Sequence, residues 1–176
     1  MLPEAVAAAA AYGPHVLVEE WIAGRELTVG VLGETALPVV EIRPRQGWFT
    51  YAAKYTPGQT EYLVPAPLPP DLAERIQQIG WRAHEALGCR HLSRADFMLS
   101  QDGAPMLLEV NTIPGFTPTS LLPKAAACLR ISYGDLCERL VMMAMHGAPH
   151  RALGLAKTSL HPCDRGLLSH GGVAHR

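Results

Sequence analysis

The sequence has few cysteines, almost no net charge and no long apolar run. Its four cysteines lie at wide intervals, without a Cys-x-x-Cys pair or a zinc-type spacing, and are predicted to be reduced thiols: Cys89, Cys128, Cys137 and Cys163. A net charge of −1 gives no electrostatic footprint for nucleic acid or an anionic membrane. No run reaches the roughly 20 apolar residues of a membrane span, and the alanine-rich start lacks the basic region of a signal peptide. We therefore expect a soluble cytoplasmic protein without nucleic-acid or membrane partners.

Internal repeats are also absent, and the length favours one domain. The 176 residues, 48% of them hydrophobic, are enough for one substantial core but few for two. Periodic patterns stop after residue 146. Several histidines near Cys163 match no metal-ligand spacing, so residues 147–176 are predicted to form an atypical, disordered tail.

What is present predicts an α+β fold, mainly antiparallel sheet with packed helices. Residues 3–12 resemble the end of a helix, and residues 71–87 have apolar positions at three- and four-residue spacing before Gly88. Strong β-propensity marks strands, and a Gly- and Pro-rich stretch at 46–70 predicts a long functional or disordered loop. The predicted strands are 15–22, 25–33, 35–44 and 61–64, two more flank "QDGA", and two further helices span 119–129 and 133–146.

The "QDGA" stretch predicts a β-hairpin whose register can be worked out. Asp102-Gly103 is a strong two-residue turn signal, which pairs Gln101 with Ala104. Counting outward from that pair places Asp96 opposite Glu109, and Arg94 opposite Asn111, on one face. The other face is then apolar and suits packing against the 71–87 helix; it comprises Ala95, Phe97, Leu99, Met106, Leu108 and Val110.

Two carboxylates on directly opposed strand positions need a positive partner. Like charges at such a pair, with Cβ atoms roughly 5 Å apart, destabilise a sheet. Asp96, Glu109 and the amide oxygen of Asn111 form an oxygen-only set of the kind that binds Mg²⁺, and Arg94 could contact a phosphate or an oxyanion. The alternative is a solvated sheet face, because alternate strand residues commonly point to water.

Several motifs in a fixed order resemble one family. They are "VLVEEWIAGRELTVGVLG", "AAKYTPGQTEYLVPAPL" and "SRADFML", followed by "LLEVNTIPGFTPTSLLPKAA". From about Tyr12 to His146 the sequence is similar to the C-terminal half of D-alanine–D-alanine ligase, an ATP-grasp enzyme. The resemblance implies that residues 1–146 form the C-terminal part of an ATP-grasp domain. It also implies ATP-dependent joining of two D-alanines for peptidoglycan, through an acyl phosphate.

The resemblance implies binding roles for residues of the first two motifs. Glu19, Glu20 and Ile22 would line the adenine pocket and Glu26 would accept the ribose hydroxyls, although Glu26 alone could be a solvated charge. Lys54 would contact the γ-phosphate and Tyr55, beside it, would bind substrate from the same lid loop. A lone lysine is otherwise usually surface charge.

The last motifs would supply the chemistry. By resemblance Asp96, Glu109 and Asn111 hold two Mg²⁺ or Mn²⁺ ions, which neutralise the transferred phosphoryl group. Arg94 and the Gly115 N–H would stabilise an oxyanion. Ser120 and Leu121 would receive the second D-alanine's carboxylate, although Ser120 could be a plain helix cap and "PG" a plain turn.

The sequence also departs from the family. It shows no glycine-rich phosphate loop before Tyr12, and "FTYAAKY" lacks acidic residues that are usual before the lid lysine. We expect a truncated or split gene, or an incomplete sequence. The alternatives are an inactive remnant, a nucleotide-binding module, or a ligase that joins D-alanine to D-lactate or D-serine. The family is usually a homodimer, which this half alone does not predict.

Overall fold

The computed structural model describes residues 2–44 and 60–146. Within them the chain forms four helices and six strands. In chain order these are α1 (Leu2–Ala10), β1 (Gly24–Leu32), β2 (Thr35–Ala36), β3 (Val40–Pro44), β4 (Thr60–Leu63), α2 (Pro70–Ala86), β5 (Leu92–Ser100), β6 (Pro105–Asn111), α3 (Leu121–Cys128) and α4 (Tyr133–Met145). None of the helices in these ranges is long and apolar enough to cross a membrane.

The strands form a single antiparallel sheet in the order β4-β3-β1-β5-β6, with β2 paired to β1. The long β1–β5 ladder lies at the centre and runs from Gly24↔Ser100 to Leu32↔Leu92. β6 closes one edge as the partner of β5 in the predicted hairpin. The predicted α+β class with a mainly antiparallel sheet is therefore confirmed.

Helices cover both faces of the sheet. Successive side chains on each strand point to opposite faces, and both faces carry apolar residues that the helices bury. On one face α2 packs through Ile76 against Leu27, Val29 and Phe97. It approaches closely because Gly80 has no side chain; a Cβ there would lie 3.2 Å from Val29 Cγ1. This predicted packing of the 71–87 helix on the sheet is confirmed.

The second core lies on the opposite face, under α3 and α4. Leu122, Ala125 and Leu136 from these helices pack with Leu37 and Val40 of the strand region. α4 begins with a capping box, in which Ser132 Oγ accepts a hydrogen bond from the Asp135 N–H. The sheet thus presents two different faces, one packed by α2 and one shared between α3, α4 and the polar residues described below.

The hairpin register is correct near the polar residues but wrong at the turn. Arg94↔Asn111 and Asp96↔Glu109 pair as predicted, whereas Leu99 faces Pro105. Ser100 and Ala104 close a three-residue loop in place of the predicted Gln101–Ala104 pair: the Ser100 N–H donates to the Ala104 carbonyl, and Gly103 takes φ +85°. A β-bulge between Asp96 and Phe97 restores the predicted pairing.

The bulge changes which residues of β6 face α2. Met106 lies opposite Met98, so it shares the polar face and not the predicted apolar one. Leu108 is the extra residue of the bulge and is exposed. The apolar face prediction is therefore correct on β5, for Ala95, Phe97 and Leu99, and for Val110, but wrong for Met106 and Leu108.

Two predicted strands differ from the structure. Residues 15–22 form no strand, and the apolar side chains of Leu17 and Val18 are exposed. β-propensity describes side chains that suit a sheet, but a strand exists only when a neighbour supplies the ladder of hydrogen bonds. The predicted 35–44 strand is split into β2 and β3 around Pro38, which has no N–H to donate.

Other predicted elements agree with the structure to within a few residues. α1, β1, β4, α2, α3 and α4 all lie where the sequence places them. Gly88 follows α2 with φ +62°, as expected for a residue just past a helix end. Lys54, Tyr55 and the predicted tail at 147–176 lie outside the described residues.

Candidate active site

Three neighbouring strands, β1, β5 and β6, bring polar side chains to the face opposite α2. The ladders place Thr28 of β1 opposite Asp96, which in turn lies opposite Glu109 of β6. Two pairs further along the same ladder, Arg94 faces Asn111. We call Arg94, Asp96, Glu109 and Asn111 the polar cluster. The structure brings these four predicted residues together through strand alternation and the restored hairpin register.

The Asp96 carboxylate is the centre of the polar cluster. Arg94 binds it with two hydrogen bonds, from Nε to Oδ1 at 2.8 Å and from a terminal nitrogen to Oδ2 at 2.7 Å. Asn111 Nδ2 donates to Asp96 Oδ2 at 2.8 Å and to Glu109 Oε1 at 2.9 Å. The buried Thr28 hydroxyl lies 2.6 Å from Asp96 Oδ1. The positive partner that the opposed carboxylates require is therefore Arg94 in this structure.

Hydrogen bonding to Asp96 raises the pKa of Arg94 above its ordinary value. Burial acts in the other direction, while the charges of Asp96, Glu109 and Glu26 raise it further. Arg94 is therefore a permanent cation surrounded by carboxylates. Its planar fork can bind an incoming phosphate or oxyanion if it releases Asp96, since both ligands present paired oxygens.

The donor set of the polar cluster fits a hard divalent cation. Asp96 and Glu109 offer carboxylate oxygens, and one Asn111 amide group lies within 2.9 Å of both. The oxygen and nitrogen of that amide are distinguished only by their partners, and a cation would favour the oxygen in this position. No group of three or more His, Cys, Asp or Glu residues that could hold a metal exists in residues 2–44 and 60–146. Two carboxylates and an amide suit an ion that keeps waters and phosphate oxygens in its shell.

The loop after β6 carries the next predicted residues. Gly115 and Ser120 are neighbours, because a Cβ on Gly115 would lie 3.3 Å from Ser120 Oγ. Ser120 is the N-cap residue of α3, but its hydroxyl accepts from the Thr117 N–H at 2.9 Å and does not cap the helix. Leu121 is the first residue of α3. The plain helix-cap interpretation of Ser120 is therefore not supported.

Tyr133 braces this loop from α4. Its hydroxyl donates to the Phe116 carbonyl at 2.9 Å, and the two rings lie 5.7 Å apart. The contact links α4 to the residue that follows Gly115. Such a brace limits the positions that the loop backbone can take.

The residues with predicted nucleotide roles are more dispersed. Glu26 lies on β1 on the same face as the polar cluster, opposite Met98, and its charge contributes to the raised pKa of Arg94. Glu19 and Glu20 are exposed and Ile22 is half-buried, all in the irregular segment before β1. In the described part of the chain, none of these three takes part in the hydrogen bonds of the polar cluster.

Sequence reasoning missed two residues of this region, Thr28 and Tyr133. Thr28 lies two residues after Glu26, so strand alternation alone predicts the same face. Its position opposite Asp96 depends on the pairing of β1 with β5, which no turn links. Tyr133 carries no local signal, since its partner Phe116 is 17 residues away.

The fold and the polar cluster together define the class: the structure has the α+β architecture of an ATP-grasp domain's C-terminal part. The family model "D-ala D-ala ligase C-terminus" matches residues 1–142. The chain belongs to that family. Curated D-alanine–D-alanine ligases from Nitratidesulfovibrio vulgaris and Oleidesulfovibrio alaskensis are 48% and 51% identical to it over 148 and 138 residues. These matches cover 84% and 77% of this chain but 49% and 45% of the relatives, so the chain spans about half their length.

Solved structures agree with this assignment. D-alanine–D-alanine ligase from Bacillus anthracis, complexed with ATP, superposes with a TM-score of 0.71 at 30% identity, covering 83% of this chain and 46% of that one. The VanG D-Ala:D-Ser ligase from Enterococcus faecalis gives a TM-score of 0.70 at 33% identity, covering 81% and 42%. The same half-fold therefore occurs in ligases whose names specify different second substrates.

Proposed function

We propose that this chain provides the metal- and phosphate-binding half of an ATP-dependent ligase that joins two D-alanines. The observation that carries the proposal is the convergence of Asp96, Glu109 and Asn111 around one set of hydrogen bonds, with Arg94 bound to Asp96. Membership of the ligase family and an ATP-complexed structural neighbour support it. The product would be the D-alanyl-D-alanine used in cytoplasmic steps of peptidoglycan synthesis.

In this proposal the polar cluster holds the phosphate end of ATP. Asp96, Glu109 and Asn111 bind two Mg²⁺ or Mn²⁺ ions, whose charge would stabilise the phosphoryl group during transfer to the first D-alanine carboxylate. Arg94 turns from Asp96 to the developing negative charge. Its permanent positive charge, with a pKa raised by Asp96, suits that role.

The remaining nucleotide and substrate roles follow the family resemblance. Glu26 binds the ribose, supported by its place on the polar face of β1. Glu19, Glu20 and Ile22 line the adenine pocket from the segment before β1. Lys54 contacts the γ-phosphate, and Tyr55 binds substrate; both lie outside the described residues.

The loop before α3 receives the second D-alanine. The Gly115 N–H and Arg94 stabilise the tetrahedral oxyanion that forms when the amine attacks the acyl phosphate, and one such donor is typically worth about 3 kcal/mol. Ser120 and the Leu121 N–H bind the incoming carboxylate at the helix N-terminus. The closeness of Gly115 to Ser120, whose Oγ would lie 3.3 Å from a Cβ on the glycine, supports a shared site for these two events.

The choice of second substrate is the main alternative within this chemistry. The D-Ala:D-Ser ligase is almost as similar in fold as the D-alanine–D-alanine ligase, so this half is compatible with either. An intact polar cluster counts against long decay to an inactive remnant, whereas a simple nucleotide-binding module would keep the cluster. The homodimer that is usual in the family would form through contacts that include the other half of the enzyme.

A chimeric ligase tests the proposal directly. Residues of this chain would replace the matching half of the Nitratidesulfovibrio vulgaris ligase, to which they are 48% identical. We expect D-alanine-dependent release of ADP and formation of the dipeptide, measured by a coupled assay and mass spectrometry. Glu109→Gln in the chimera should reduce the rate by a factor of at least about 100, because it removes one negative charge from the ions' site.

Glu85→Gln is the matched control. Glu85 is exposed on α2, at the face of the sheet away from the polar cluster, so the same loss of charge should leave the rate unchanged. A chimera that folds and binds ATP but makes no product with D-alanine, D-serine or D-lactate as the second substrate would leave only the remnant or module alternatives. Full activity in the Glu109→Gln variant would refute the assignment of the metal ligands.

A further inference from the structure

Thr28 is a buried hydroxyl directed at the Asp96 carboxylate. It lies on β1 directly opposite Asp96 of β5, and only 1% of its surface is exposed. Its hydroxyl lies 2.6 Å from Asp96 Oδ1 and 3.1 Å from the Ala95 carbonyl. Asp96 Oδ1 is the closer of the two and is charged, so it is the stronger acceptor for the single hydroxyl proton of Thr28.

The four hydrogen bonds to Asp96 differ in how firmly they are held. Arg94 supplies two and Asn111 supplies one, and both are half-buried residues with proposed roles toward ligands. When they turn to a phosphate or a cation, their bonds to Asp96 are given up. Thr28 has no such second role, and its side chain is buried on a strand that is paired on both sides.

The two Asp96 oxygens are therefore not equivalent. Oδ1 accepts from Thr28 and from Arg94 Nε, whereas Oδ2 accepts from Arg94 and Asn111. Once Arg94 and Asn111 engage ligands, Oδ2 is open and Oδ1 is still held by Thr28. The carboxylate thus keeps one orientation while presenting one free oxygen.

We propose that Thr28 is a positioning residue that fixes the Asp96 carboxylate for cation binding. The inference rests on the proposed function, in which Asp96 is a metal ligand. A donor behind a ligating carboxylate fixes its rotamer before the ion arrives, and loss of such a partner typically weakens metal affinity by about 10- to 100-fold. Thr28 itself touches neither the ion nor the substrate.

The experiment measures binding of Mn²⁺ alone to the full 176-residue chain, by electron paramagnetic resonance of the free ion. Thr28→Val removes the hydroxyl at constant shape, and we expect its Kd to rise about 10- to 100-fold. Thr28→Ser keeps the hydroxyl and should bind like the unchanged chain. Thr28→Ala also lacks the hydroxyl and should show the same rise in Kd. It provides the measurement if the Val variant fails to fold.

Ser93→Ala is the control for a general loss of a buried hydroxyl. Ser93 is fully buried on β5, beside Arg94, and its hydroxyl bonds with His84 Nδ1 at 2.7 Å on the α2 face. This variant should lower the thermal midpoint as Thr28→Val does, yet leave the Mn²⁺ affinity unchanged.

The outcomes separate the two proposals. Mn²⁺ binding that is lost in Asp96→Asn but unchanged in Thr28→Val and Thr28→Ala would overturn the role of Thr28 and leave the metal site standing. Binding that does not depend on Asp96 would overturn the metal assignment and this inference with it. Equal weakening in Ser93→Ala would show that the effect is only structural, and would also overturn the inference.

Discussion

Glu41 is a residue whose buried charge stabilises the sheet away from the candidate site. It is 2% exposed, on β3, and both of its oxygens are bound by Arg25 and Arg43 at 2.7 to 3.0 Å. Burial raises the pKa of its carboxyl, but the hydrogen bonds and charges of the two arginines outweigh that effect, so the pKa is lowered overall. The folded state therefore favours the ionised form of Glu41.

Glu41→Gln should destabilise the protein by about 2 kcal/mol near neutral pH, because it removes charge-assisted hydrogen bonds from two arginines. A group whose pKa is lowered by folding contributes stability above its unfolded pKa and loses it as the pH falls through its folded pKa. The difference in unfolding free energy between the Glu41→Gln variant and the unchanged chain should thus become smaller in acid. Urea unfolding at about pH 7 and about pH 3 measures this, and a difference independent of pH would contradict the lowered pKa.

Among single residues, the sequence predicted all four members of the polar cluster, because strand alternation puts Arg94 with Asp96 on one strand and Glu109 with Asn111 on the other. Arg94, Asp96, Glu109 and Asn111 all lie on the predicted face. The hydroxyl behind Asp96 was not predictable in this way, because Thr28 and Asp96 are 68 residues apart. Only the β1–β5 ladder brings them together.

Between elements, glycines set how closely helices approach the sheet. A Cβ on Gly30 would lie 3.0 Å from both Leu122 Cγ and Leu37 Cδ1, under α3. Gly30→Ala should therefore push α3 from β1 and cost about 1–3 kcal/mol. Thermal or chemical unfolding of the full chain measures this cost.

Gly80→Ala provides the comparison from the other face. Its Cβ would meet Val29 at 3.2 Å, a slightly looser contact, and a helical Gly→Ala change gains about 1 kcal/mol of helix propensity. We expect a change near zero, clearly smaller than for Gly30→Ala. Equal destabilisation by the two substitutions would show that the α3 contact is not the tighter one.

The predicted hairpin has the correct pairs at the candidate site although its turn was predicted wrongly. Asp102-Gly103 predicted a two-residue turn, but the Ser100 hydroxyl lies within hydrogen-bond distance of the Ala104 backbone, and the loop has three residues. The three-residue loop shifts the strand register by one residue from the predicted one, and the bulge after Asp96 shifts it back. The site pairs were right because two unpredicted irregularities cancel, and the error remains visible at Met106 and Leu108.

For the whole molecule, a ligand that binds only the folded state must raise its stability. Mn²⁺ or Mg²⁺ at 100 times its Kd would add about 2.7 kcal/mol to the unfolding free energy. We expect the thermal midpoint of the full chain to rise with added metal, and not to rise in Asp96→Asn or Glu109→Gln. A similar rise in these variants would place the ions elsewhere.

The choice of second substrate also belongs to the scale of the whole molecule. The chain spans about half the length of its curated relatives, and its fold is shared by ligases for D-alanine and for D-serine. Under the proposed function, groups other than the sheet and the polar cluster would therefore set the second-substrate preference. The chimeric ligase would supply those groups from the Nitratidesulfovibrio vulgaris relative.

The sequence by itself determined the local features: the spacing that makes α2, the glycine signals at Gly88 and Gly103, and the alternation that puts Arg94 with Asp96. These depend on residues a few positions apart. The tertiary structure alone decided that residues 15–22 form no strand, that a bulge precedes Glu109, and that Thr28 lies behind Asp96. Pairing between strands that are far apart in sequence depends on which backbone edges and side chains meet after folding. Local periodicity therefore does not predict it.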